Sequence, residues 1–187
     1  LSSYDQVYVG GSNQYGQLGT NGTDTNSPIN ITSTLPLELG DYVVDVFCGK
    51  YNTVLLTNSG DLIVFGRNTY GQLGTGDNVN VLLPYNLDQV PFFSTKTITH
   101  VATGMNHMIF SDGTNMVYGV GYNNSGQLGI GNTLTQYIPQ LITDGVHFTL
   151  NGNVSKLQAG AYHSAILITT DQLYTFGANN FGQIGNN

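Results

Sequence analysis

The residues of this chain best suited to chemistry are four histidines, eleven carboxylates, one cysteine and a set of glycine-rich loops. Ser164 directly follows His163, a pairing that raises nucleophilic catalysis. Such a pair needs hydroxyl and imidazole within hydrogen-bond reach and a third group to orient the base, and adjacency along the chain supplies neither. His107 and His163 stand 56 residues apart, at equivalent points of a repeat described below, so both are expected to buttress their repeats by hydrogen bonding. His100 and His147 have no repeat partner and no Cys, Asp or Glu at metal-ligand spacing, and both read as surface or strand residues. Glu38 is the one glutamate among ten aspartates. Asp61, Asp112 and Asp171 fall at turns between short apolar runs, where Asp is favoured whatever the function. Neither a D-x-D-x-D-G calcium loop nor a G-x-S-x-G nucleophile elbow is present. Cys48 is alone, which removes an intrachain disulfide and a Cys-based zinc site. No catalytic residue, metal ligand set or cofactor site is expected, and the chain reads as not an enzyme.

The glycine loops carry one phrase written four times: GSNQYGQLG from Gly11, GRNTYGQLG from Gly66, GYNNSGQLG from Gly121 and GANNFGQIG from Gly177. A phosphate-cradling loop would need a Lys-Ser/Thr after the glycines and a strand-to-helix setting, and both are missing. The glycines instead suit positive φ or close backbone approach. Asn13, Asn68, Asn123 and Asn179 can bond neighbouring amides. Gln17, Gln72, Gln127 and Gln183 offer both donor and acceptor to the loop backbone. Leu18, Leu73, Leu128 and Ile184 are the apolar anchors. The phrase reads as architecture.

Charge narrows the partners. Only 8% of the residues are charged, about a third of the ordinary level. The net charge is −7, with Lys50, Arg67, Lys96 and Lys156 as the whole basic complement. Direct nucleic-acid contact needs clustered cations to displace phosphate counterions, and an anionic membrane surface makes a similar demand, so neither is expected as a partner. No apolar run is long enough for a transmembrane helix. The chain does not begin with Met, and any targeting segment could have been removed. Sequons at Asn21, Asn30, Asn123 and Asn153 match the roughly four that chance gives a chain this rich in Asn, Ser and Thr, and carry no information on compartment.

The elements that must position these residues are visible as a period of 55, 55 and 56 residues between phrases. Ahead of three phrases runs a 24-residue block, at Val43–Gly66, Ile98–Gly121 and Val154–Gly177, and the three align without a gap. Each block reads as three short strands: a β-rich run closed by glycine, as in Val43–Cys48, then one like Thr53–Thr57, a turn, and one like Leu62–Phe65. Apolar runs of four or five residues suit strands buried on both faces. Pro28, Pro84 and Pro139 recur nine or ten residues after each phrase, at the expected start of an outer or edge strand. Several short strands per repeat, with no helical period, predict an all-β chain of propeller blades. A single partial β-propeller over 1–187 is expected, in units of about 1–42, 43–97, 98–153 and 154–187.

The combination of a V-x-x-V-x-A-G-x-x-H-like block, an L-Y-x-F-G-like strand and G-x-N-x-x-G-Q-L-G resembles the regulator of chromosome condensation repeat. That resemblance implies a seven-bladed β-propeller, of which this chain would hold about three and a half blades. The remainder would come from a longer chain or from a second copy completing the ring. The family's frequent Trp before the third-strand glycine is replaced by Phe65, Val120 and Phe176, and the His of G-x-x-H is Asn52 in the first full block. The resemblance implies a non-enzymatic protein-interaction scaffold. One alternative is guanine-nucleotide exchange on a Ran-like GTPase, for which family members carry an insertion that the even spacing leaves little room for. Another is a structural part of a larger, extracellular assembly, suited by low charge and abundant Asn, Thr and Tyr. Light sensing, which in plant members relies on Trp clusters, is near excluded because the chain has no Trp. Binding is expected on loops at one rim of the ring, at the two residues inside each G-x-x-H turn. The candidates are Lys50, Tyr51, Met105, Asn106 and Tyr162, with Tyr favoured for its large ring and polar tip.

Overall fold

The computed structural model describes residues 6–143, 145 and 148–186, so His147 lies outside the described residues. Each 24-residue block forms three antiparallel strands, as its pattern dictates. The first block gives β3 (Val43–Cys48), β4 (Asn52–Thr57) and β5 (Leu62–Gly66), joined by an outer strand, β6 (Val81–Asn86). The second gives β7 (Ile98–Thr103), β8 (His107–Asp112) and β9 (Val117–Gly121), with β10 (Gln136–Leu141) outside. The third gives β11 (Val154–Ala159), β12 (His163–Ile168) and β13 (Leu173–Gly177). Ahead of them β1 (Tyr8–Gly11) pairs with β2 (Thr25–Asn30), occupying the third and fourth places of a blade. Strand order follows chain order in every sheet, which is the meander of a propeller blade, and the four sheets amount to about three and a half blades.

The apolar runs of β4, β5, β8 and β9 are buried throughout. Their alternation divides them between two interfaces. Val54, Leu56, Leu62 and Val64 face the next sheet, against Val101, Met108 and Phe110. Leu55, Ile63 and Phe65 face the preceding one, against Ile31, Leu35, Val7 and Val9. A side chain of this kind contributes about 1.5–3 kcal/mol on full burial, so the stacking of neighbouring sheets is the main source of stability.

Two details of the backbone explain the sequence. The turn between second and third strands demands positive φ at one position, met by Gly60 (φ 88°), Asn115 (φ 68°) and Asp171 (φ 59°). Asn and Asp are the side chains that best tolerate that region. The prolines do not start the outer strands, contrary to what their spacing predicts. Pro28, Pro84 and Pro139 each stand fourth in their strand. In each sheet the pairing register shifts across that position. A bulge on an outer strand leaves a residue without a ladder bond, which is where a missing N–H costs least.

Candidate protein-docking face

The strand register sets which loops meet. Asn52 pairs with Gly66, His107 with Gly121 and His163 with Gly177. The G-x-x-H turns and the glycine phrases are thereby brought to the same end of every blade. In the last three phrases the N–H following the first glycine donates to the carbonyl of the turn's last residue before the strand, at 2.8 Å for Arg67 to Tyr51, Tyr122 to Asn106 and Ala178 to Tyr162. Gly66 shows why that first glycine is obligatory. Its φ is +109°, and a Cβ there would stand 2.5 Å from the Tyr51 carbonyl oxygen.

Inside the phrase the Asn side chain organises the loop. Asn13, Asn68 and Asn123 accept from the N–H of Leu18, Leu73 and Leu128 at 2.9 Å, while their Nδ2 groups donate across the loop. The Gln side chain accepts from the N–H two residues earlier, at 2.9 Å in Tyr15 and Tyr70. The loop also reaches the next blade. A Cβ on Gly16 would stand 2.7 Å from Leu82 Cα, and one on Gly71 2.7 Å from Tyr137 Cα, both in the following blade's outer strand. Thr53 Oγ1 donates to the Gln17 carbonyl at 2.9 Å, and Ser164 Oγ to the Gln127 carbonyl at 2.8 Å. The phrase is therefore a staple between blades as well as a turn.

His107 and Ser164 do come into contact, with Nε2 and Oγ 2.8 Å apart. They belong to neighbouring blades, and His163, beside Ser164 in sequence, is not the partner. The Ser164 proton goes to the Gln127 carbonyl, so the His107 Nε2–H must be the donor to Ser164 Oγ. This leaves Nδ1 as an acceptor without a partner, its ring lying on the bare Cα of Gly104. Burial, with the neighbouring His163 charge, lowers the His107 pKa to about 4. With exposures of 1% and 0%, His107 and Ser164 offer nothing to a substrate. The pair holds blades together.

His100 sits in β7, its Nδ1 3.0 Å from Ser111 Oγ, and burial lowers its pKa. Asp112 acts as a turn residue. Its Oδ1 accepts from the Thr114 hydroxyl and from the N–H groups of Thr114 and Met116, and Oδ2 accepts from the Tyr118 hydroxyl and lies 3.6 Å from Lys96 Nζ. Burial alone would raise its pKa, but these hydrogen bonds prevail and lower it. Among the described residues no three metal-ligating side chains come together.

The loop-bearing face carries a continuous aromatic ladder. Tyr15 and Tyr51 have ring centroids 4.9 Å apart. The Arg67 guanidinium lies 5.2 Å from the Tyr15 ring, 5.7 Å from Tyr51 and 5.6 Å from Tyr70. Tyr70 meets Tyr122 edge-on at 5.0 Å, and Tyr122 lies 6.2 Å from Tyr162. Five tyrosines and one arginine, drawn from all four sheets, thus run across the face, all partly exposed or exposed.

Of the five residues singled out in sequence, the structure places Tyr51 and Tyr162 in this ladder. Lys50 lies beside it, its Nζ 4.9 Å over the Tyr51 ring. Met105 is half-buried and lines a depression near the three G-x-x-H turns with Lys50 and Ala161. Asn106 is only 7% exposed and is not available to a partner. Tyr15, Arg67, Tyr70 and Tyr122 were missed. They occupy the second and fifth places of the glycine phrase, which vary between copies while the glycines do not.

Stacked four-stranded meanders with a shared loop face define a β-propeller. A family model described as "Regulator of chromosome condensation (RCC1) repeat" matches residues 4–56, 59–110 and 115–167, and a second of the same description matches 43–72 and 154–183. The chain belongs to that family. Among curated relatives, the mouse X-linked retinitis pigmentosa GTPase regulator is 34% identical over 145 residues, covering 78% of this chain and 14% of its own length. Human Protein RCC2 is 35% identical over 146 residues, covering 78% of this chain and 26% of its own length. The structure of Prp20p from Saccharomyces cerevisiae superposes over 100% of this chain and 43% of that chain, with a TM-score of 0.81 and 24% identity. The chain thus spans less than half the length of these relatives.

Proposed function

We propose that the protein is a non-enzymatic interaction scaffold whose partner docks on the tyrosine face. The supporting observation is the ladder Tyr15–Tyr51–Arg67–Tyr70–Tyr122–Tyr162. Tyr and Arg are the residues that dominate binding energy at interfaces, because each covers a large area and retains polar donors. A ladder drawn from four sheets can be assembled only when the blades are stacked, so docking would read the folded propeller. Exchange on a Ran-like GTPase gains no support at the level of residues, since the likeness to Prp20p is one of fold.

The test uses a partner co-purified with the protein and then titrated directly. Tyr70→Ala with Tyr122→Ala is expected to weaken binding by at least 2 kcal/mol, about 30-fold. Substitutions of Asn58 and Thr170, at the opposite end of the blades, leave affinity unchanged. A partner retained by the tyrosine variant and lost with the opposite-end variants would refute the assignment.

A further inference from the structure

Among the described residues no carboxylate forms an ion pair with the cations of the tyrosine face. Arg67 and Lys50 are two of only four basic residues in a chain of net charge −7. Among the described residues the one ion pair is Lys96 with Asp112, far along the chain from both. Arg67 Nε donates to Thr69 Oγ1 at 3.1 Å, which leaves the four N–H bonds of its two Nη groups without a protein acceptor among the described residues. Three tyrosine rings lie with their centroids 5.2–5.7 Å from the guanidinium carbon. The carboxylates of neighbouring phrase loops are occupied: Asp24 accepts from Asn13 N–H at 2.7 Å, and Asp77 accepts from Thr75 and Asn68 side chains and from Val79 N–H.

From this we infer that the tyrosine face takes an acidic, extended segment of a protein partner, with a carboxylate of that segment on the Arg67 fork and Lys50 beside it. The inference rests on the docking proposal above and adds the chemistry of the ligand. A guanidinium presents paired donors that match a carboxylate bidentately, and such charge-assisted bonds are the stronger ones at an interface. Rings already packed around the guanidinium restrict its rotamers, which lowers the entropy lost on binding. The tyrosines on either side provide flat apolar beds with hydroxyl tips for the flanking residues. Two cations are too few for a polyanion such as nucleic acid.

The experiment selects eight-residue peptides from a random displayed library on the wild-type protein, then titrates the enriched peptides. Enriched sequences are expected to carry Asp or Glu. Arg67→Ala is expected to weaken them about tenfold or more, with Arg67→Lys intermediate because it keeps charge and loses the fork. Raising ionic strength should weaken the wild type more than Arg67→Ala. Thermal melting of each variant confirms that the fold is kept, and Thr170→Ala, at the opposite end of the blades, serves as the control. Peptides that are neutral or basic, lose binding in Tyr70→Ala and are indifferent to Arg67→Ala would overturn the acidic-ligand inference and leave the docking face standing. Peptides indifferent to both substitutions, or the absence of any enrichment, would overturn both.

Discussion

Replacing His107 by Asn should remove an acid-sensitive joint between two blades. The unfolded imidazole takes up a proton with a pKa of 6.5, whereas the buried one resists until about pH 4. Protonation is therefore favoured in the unfolded state throughout that interval. The stability associated with neutral His107 is full above pH 6.5 and is lost as the pH falls towards 4. The loss works out at about 2 kcal/mol at pH 5 and about 3 kcal/mol near pH 4. Asn is the natural comparison, because Asn52 holds the equivalent place in the preceding blade. Urea unfolding of wild type and His107→Asn at pH 7 and pH 5 isolates the effect, since every other titrating group is common to both. The wild type should lose about 2 kcal/mol more than the variant over this range. Equal losses in the two proteins would show that His107 does not carry the acid sensitivity.

Three further substitutions probe the backbone and the staples. Ser164→Ala removes the partner of both His107 Nε2–H and the Gln127 carbonyl and should cost about 1–3 kcal/mol in denaturant unfolding, whereas Ser164→Thr, matching Thr53 in the first block, should retain most of it. Gly66→Ala forces a Cβ against the Tyr51 carbonyl at positive φ and should cost more than about 1 kcal/mol, read as a fall in melting temperature. Asp171→Gly relieves a positive-φ side chain in an exposed turn and should stabilise by up to about 1 kcal/mol in the same assay.

The sequence made the blades legible because their strands are local. Three gapless blocks with closing glycines placed β3 to β5, β7 to β9 and β11 to β13 within a residue or so. The site was less legible, for a physical reason. Tyr70 and Tyr122 lie in loops separated by a whole repeat, and only the stacking of blades brings their rings to 5.0 Å. The variability that singled out Tyr51 and Tyr162 also marks the second and fifth places of the phrase, and the same comparison applied there finds Arg67 and Tyr70. Asn106 varies for the opposite reason: its short side chain is buried while its carbonyl holds Tyr122 N–H. Proline spacing revealed an outer strand but not the bulge that places the ring fourth within it.

Those prolines bear on how the open outer edges of so weakly charged a chain are guarded. Outer strands present open hydrogen-bonding edges, and proteins commonly guard them with lysines. Here β2, β6 and β10 contain no lysine or arginine. Each instead has a ring in place of an N–H at mid-strand and a bulge that breaks the straight run of donors. A foreign strand laid along a blade's rim would find its ladder interrupted after a few bonds. The repeat therefore carries its own safeguard against sheet-to-sheet polymerisation, renewed with each blade and independent of salt or pH.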